Sequence, residues 1–115
     1  MKATAEVFKQ GLMAQKKGDL NAAMQLYELV LANNSRHPDA NHNLGQIALT
    51  LGQIENAIRF FERALSVNTS TAQYWLSYLD ALTQGGYFIE AKRVLKKSKQ
   101  NGVPKNLLKP YSEIS

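Results

Sequence analysis

NLGQIALTLGQIENAIRFFERA, residues 43–64, is the stretch that decides the fold. Its markers are Gly52, Ile54, Ala57 and Phe61. Stepping 34 residues back meets Gly18, Leu20, Ala23 and Tyr27, and stepping 34 forward meets Gly86, Phe88, Ala91 and Leu95. Four columns of matched residue type, each filled three times at one spacing, mark an internal repeat. That period is the length of one helix–turn–helix unit in a stacked solenoid. Solenoids of this kind bind other molecules, so the expectation is a binding module and not a catalyst.

The 115 residues suit one domain with a modest core. Three units fill it apart from a short lead-in and a tail. With no cysteine there is no disulfide framework, thiolate chemistry or cysteine zinc site. The start, Met1 to Glu6, lacks the apolar core of a secretory signal, and no stretch is apolar for long enough to span a membrane. A cytoplasmic location follows as the default, and the acceptor patterns at Asn33 and Asn68 are then chance. The net charge of +5 is unevenly placed. Residues 1–91 carry seven Lys/Arg against eight Asp/Glu, whereas residues 92–115 carry seven Lys/Arg against Glu113 alone.

Helix signals follow the repeat. Thr4 is placed to cap a first helix that Gly18 ends, and Asp19 to cap a second running to about Ala32. Pro38 opens the third, with Asp39 beside the positive helix end, and Gly52 closes it. The fourth spans about residues 54–67. Ser70 and Gln73 fit a capping box for the fifth, which Gly85-Gly86 breaks. The sixth runs from about Phe88 to Gln100, with Asn101-Gly102 and Pro104 as its stop. A short turn is expected around residues 106–108. No segment alternates with the period of a strand. The chain therefore reads as all-α, with six helices in three antiparallel pairs.

The residue types fit close pairing. Gly11 with Ala23, and Gly45 with Ala57, are small enough for two helices to approach closely, while Tyr27, Phe61 and Leu95 plug the gaps between units. Asn43-Leu44-Gly45 followed by Gly52, Ala57, Phe61 and Ala64 resembles a tetratricopeptide repeat, and Trp75 stands where that family prefers tryptophan. The resemblance covers about residues 4–105, as units at about 4–37, 38–71 and 72–105, with a short tail at 106–115. It implies a right-handed superhelical array. There are departures. Leu79 replaces the glycine of the other units and is expected to push its two helices apart. Ser35 and Thr69 stand where a proline is usual. Leu107, Leu108 and Tyr111 are the available cover for the last unit, so self-association or a missing downstream domain stays open.

Catalytic patterns are missing. His37 and His42 are the only histidines, and no carboxylates complete a metal site around them. There is no phosphate-binding glycine loop, nucleophile elbow or HExxH. Glu55 and Glu62 read as solvent-facing or partner-facing carboxylates. Neither a cofactor, a metal nor an enzymatic activity is expected.

The resemblance implies that the first helix of each unit lines a concave groove. That assigns Phe8, Leu12 and Gln15 from the first unit, His42, Asn43, Gln46 and Leu49 from the second, and Gln73, Leu76, Asp80 and Thr83 from the third. Amides there suit a peptide backbone, and Phe8, Leu12, Leu49 and Leu76 suit apolar anchors or interhelical packing. One branch of the family grips acidic chaperone tails with two lysines, two asparagines and a further basic residue. This chain matches that clamp at Asn43 only, with Phe8, Leu12, Gln73 and Ser77 at the other places, so such tails are not expected to bind. Lys92, Arg93, Lys96, Lys97 and Lys99 form a basic patch that could meet phosphates, although no aromatics are interleaved for base stacking and nucleic acid is an unlikely partner. The apolar residues of that helix are too few for membrane insertion. The function expected is a scaffold binding a protein or peptide in the groove. The alternatives are the non-catalytic front end of a larger, transferase-type enzyme, which Trp75-Leu76-Ser77-Tyr78 and Glu90-Ala91-Lys92 resemble, or binding of anionic surfaces through the basic end.

Overall fold

The computed structural model describes residues 3–114. Six helices run in antiparallel pairs: α1 (Thr4–Lys16) with α2 (Leu20–Asn33), α3 (Pro38–Thr50) with α4 (Ile54–Val67), and α5 (Ala72–Gln84) with α6 (Phe88–Gln100). A single turn, α7 (Lys105–Leu108), and a 3-10 turn (Lys109–Tyr111) follow. No strand occurs among the described residues, and none of their helices is long and apolar enough to cross a membrane.

The glycine column sets the turns. Gly18, Gly52 and Gly86 take φ of 81°, 78° and 79°, the left-handed region that glycine enters without strain. The amide after each reaches back over the helix end: Asp19 to the Ala14 carbonyl at 3.0 Å, and Gln53 to Ala48 and Tyr87 to Leu82 at 2.8 Å. This is the Schellman closure, and it satisfies carbonyls that a helix end leaves open. At the starts the outcome is mixed. Asp19 caps α2 by accepting from the Ala22 amide at 3.1 Å. Thr4 is no cap: it lies inside α1, and its hydroxyl accepts from Asn33 Nδ2 at 2.5 Å. The Ser70–Gln73 capping box does not form either. Asn68 Oδ1 takes both the amide and the hydroxyl of Ser70, while Gln73 turns to Ser77. His37 is an unforeseen cap, its Nδ1 accepting from the Ala40 amide at 3.0 Å.

Within the first two pairs, the small residues make room for a ring. A Cβ added at Gly11 would stand 2.6 Å from Tyr27 Cε1, and one at Gly45 would meet Phe61 more closely still. Tyr27, Phe61, Ala23 and Ala57 are fully buried. In the third pair Leu79 and Leu95 share the volume differently, and α5 and α6 approach each other less closely than the earlier pairs. Two apolar clusters result, one around Tyr27, Leu44 and Ile47 and one around Phe61, Trp75, Leu79 and Val94, with Phe60 touching both.

Asn41 and Trp75 occupy one column of the repeat and make one kind of bond. Trp75 Nε1 donates to the Thr69 carbonyl at 2.9 Å, and Asn41 Nδ2 donates to the Ser35 carbonyl at 3.2 Å, six residues upstream in both cases. Each thereby ties a first helix to the loop that precedes it.

The C-terminal turns lie where the first helix of a further unit would begin. Tyr111 OH donates to the Leu76 carbonyl 35 residues earlier, at 3.2 Å, much as Tyr74 OH donates to Asp39 across the preceding boundary. Leu108 is buried and Tyr111 half-buried against the core, but Leu107 is 39% exposed. Phe88 and Ile89 stay 56% and 78% exposed, whereas Leu20 and Ile54, the counterparts of Phe88, are half-buried under the next unit.

Candidate functional site: a polar relay along the first helices

Glycine turns and alanine contacts align α1, α3 and α5 so that their shared face carries a connected line of polar groups. Tyr27 OH donates to Gln15 Oε1 at 2.6 Å and accepts from Asn43 Nδ2 at 3.2 Å. Asn43 Oδ1 lies 3.2 Å from His42 Nδ1, and His42 Nε2 lies 2.8 Å from Ser77 Oγ, which accepts from Gln73 Nε2 at 3.2 Å. Because Asn43 Oδ1 only accepts, this network assigns the proton of a neutral His42 to Nδ1 and leaves Nε2 to accept from Ser77. The line crosses all three pairs. Burial pushes the His42 pKa down, the Asn43 bond and the Asp39 charge opposing it only in part, and burial pushes the Tyr27 phenol up.

The residues that the resemblance assigns to a groove divide into buried and more exposed members. Gln15, His42, Asn43 and Gln73 belong to the relay. His42 is 5% exposed, so it holds units together and offers little surface. Phe8 packs its ring 5.6 Å from Tyr27 and 5.1 Å from His37, and Leu12, Leu49 and Leu76 are likewise half-buried against the clusters. Gln46 joins Leu12, Gln15, Lys16 and Asn43 around a recess of 310 Å³ between the first two units. Thr83 bonds to carbonyls of its own helix, and Asp80 accepts from Tyr111 OH at 2.5 Å. Two contributors were not foreseen in these roles: Ser77, which was noted only as a mismatched clamp position, and Tyr111, whose place is visible only once the tail is seen to imitate a first helix.

Glu55 and Glu62 are exposed, and each also accepts a bond from the third unit, from Tyr87 OH at 2.7 Å and Tyr78 OH at 3.0 Å, joining α4 to it. The basic residues of α6 are all exposed, and they border different recesses. Arg93, Lys96 and Lys97 line a 580 Å³ groove beside Trp75 and Tyr78 that also holds Glu62 and Glu90, and Arg93 pairs with Glu90 at 3.2 Å. Lys99 faces a separate recess with Lys105 and Lys109. Lys92 lines neither recess. Helical twist separates them, since neighbouring residues point about 100° apart. Among the described residues, no three His, Cys, Asp or Glu side chains gather closely enough to hold a metal ion.

A family model described as "Tetratricopeptide repeat" matches residues 14–82. A curated relative, cellulose synthase operon protein C of Komagataeibacter xylinus, is 28% identical over 87 residues, covering 76% of this chain. The chain spans only 7% of that protein's length. Among solved structures, the first repeat domain of Spaghetti (RPAP3) bound to the HSP90 peptide SRMEEVD superposes with a TM-score of 0.83 at 15% identity, covering 96% of this chain and 91% of that one. The Yersinia enterocolitica secretion chaperone SycD, in complex with a peptide of the translocator YopD, gives 0.79 at 16% identity, covering 94% and 82%. At such identities the likeness is one of fold.

Proposed function

The chain belongs to the tetratricopeptide repeat family, and from that premise we propose that it is a non-catalytic interaction module holding a peptide or protein segment along α1, α3 and α5. The observation that carries this reading is the relay from Gln15 to Gln73, which fixes the groove floor before any partner arrives. A preformed receptor loses little ordering entropy on binding. We take the units as residues 4–37, 38–71 and 72–105. The rim residues available to a ligand are Gln46, Gln73, Asp80 and Thr83, with Leu12, Leu49 and Leu76 as partly exposed apolar contacts. The groove lacks the lysines of a carboxylate clamp, so acidic chaperone tails are not its ligand. The large size of the curated relative supports a place for this module within a larger assembly.

The test compares partner capture by the intact chain and by a Gln46→Arg, Thr83→Arg variant, which enlarges two rim side chains and leaves the relay in place. A partner lost with the variant supports the groove. Equal capture by both overturns it and moves attention to the lysines of α6.

A further inference from the structure

At the C-terminal end of the groove lies a recess of 640 Å³ walled by Asp80 of α5, Phe88 of α6, and Pro110, Tyr111, Glu113 and Ile114 of the terminal segment. Between the second and third units the end of α5 fills the equivalent space: a Cβ at Gly85 would stand 2.9 Å from Ile54 Cγ2. After Tyr111 the first-helix path is not continued, and Phe88 is left 56% exposed.

The charge of the recess is opposite to that of its neighbourhood. Asp80 and Glu113 are its ionisable carboxylates, and no lysine or arginine lines it. Residues 92–115 are otherwise strongly basic, but Lys99, Lys105 and Lys109 face a different recess. Neither carboxylate forms an ion pair among the described residues, and Asp80 accepts a single neutral hydrogen bond, from Tyr111. Two aromatic rings stand beside the carboxylates. An apolar wall, two acids and aromatic rings together suit a cation on an apolar stem.

We propose that this recess seats a basic side chain of the bound peptide, arginine in preference to lysine, with an apolar neighbour against Phe88. The guanidinium is planar, so it can meet a carboxylate through two bonds and also lie on a ring, which an ammonium cannot do. The inference rests on the groove being the peptide seat, and it gives that groove a polarity: its C-terminal end selects positive charge.

The experiment uses the full ¹⁵N-labelled chain and three acetylated, amidated peptides, Ala-Leu-Arg-Leu-Ala and its Glu-centred and Met-centred forms. The Arg peptide is expected to shift the amides of Asp80, Phe88 and Tyr111 and to bind at least about threefold more tightly than the Met peptide, with the Glu peptide weakest. Glu113→Gln and Asp80→Asn are each expected to remove about threefold of that preference. Glu113 makes no hydrogen bond or ion pair to the described residues, so its variant leaves the fold intact. Equal affinity for the three peptides, with shifts at Asn43 and Gln46, overturns the arginine seat while the groove stands. Shifts confined to α4 and to residues 92–100 overturn both. Absence of any shift at millimolar peptide also overturns the seat.

Discussion

His42 Nε2 on α3 and the Ser77 hydroxyl on α5 lie 2.8 Å apart, and this bond couples the second and third units. The imidazole is buried and its pKa is held below the ordinary 6.5. The unfolded chain therefore binds a proton at this residue before the folded chain does. Stability contributed by neutral His42 is complete above about pH 6.5 and is lost as pH falls toward the depressed folded value, at up to about 1.4 kcal/mol per pH unit. Urea midpoints measured between pH 7.5 and 5 should fall for the natural chain, and His42→Gln should flatten that dependence.

Alkali should act through tyrosine. Tyr74, Tyr78 and Tyr111 are raised well above the ordinary 10, first by burial and then by hydrogen bonds to Asp39, Glu62 and Asp80. A raised folded pKa means that the unfolded chain loses the proton first, so stability declines as pH rises above about 10. Absorbance at 295 nm should show these phenols ionising together with the loss of helical circular dichroism. Ionisation near pH 10 with the helices intact would contradict the bonds.

Gly45→Ala gains helix propensity of about 1 kcal/mol, but its methyl would drive into the Phe61 ring. Overpacking of that kind costs about 1–3 kcal/mol. The net expectation is destabilisation, relieved when Phe61→Leu is added, because Leu79 and Leu95 already fill the third pair without a glycine. A double-mutant cycle by urea denaturation should give a favourable coupling of about 1 kcal/mol or more.

Trp75→Phe keeps the ring but removes the donor to the Thr69 carbonyl. A loss of about 1–2 kcal/mol is expected from the missing bond and the smaller side chain. Unchanged stability in a thermal melt would show that the indole nitrogen is dispensable.

The peptide SRMEEVD offers a further check. The positions that the resemblance assigns to the clamp hold Phe8, Leu12, Gln73 and Ser77 here, none of them cationic. Fluorescence titration should give no saturation below about 1 mM. Micromolar binding would contradict the absence of a clamp.

Helix order and turns were legible because glycine, alanine and proline act locally. Gly52 needs only its own φ, and α4 and α6 occupy the spans that the sequence indicated. Caps were less legible where two side chains compete for one group, as Ser70 and its own amide do for Asn68. The repeat aligns the candidate residues of the first helices, but which of them are buried and which exposed it could not tell. Whether His42 faces a ligand or a neighbour depends on Ser77, 35 residues away, and no local pattern reports such a distance. The basic residues of α6 could be placed by their helix, but not the recesses they border, whose far walls come from α5 and the terminal turns.

The shared bond of Asn41 and Trp75 does not depend on side-chain shape. An amide and an indole have little shape in common, yet each delivers an N–H to the carbonyl six residues before it. The two solutions are not equal, since Asn41 Oδ1 is left buried without a partner while an indole has no acceptor to strand. Drift in this column is thus tolerated, and Val7, its occupant in the first unit, carries no side-chain donor at all. The column fastens the second and third units to the loops before them without defining what a unit is.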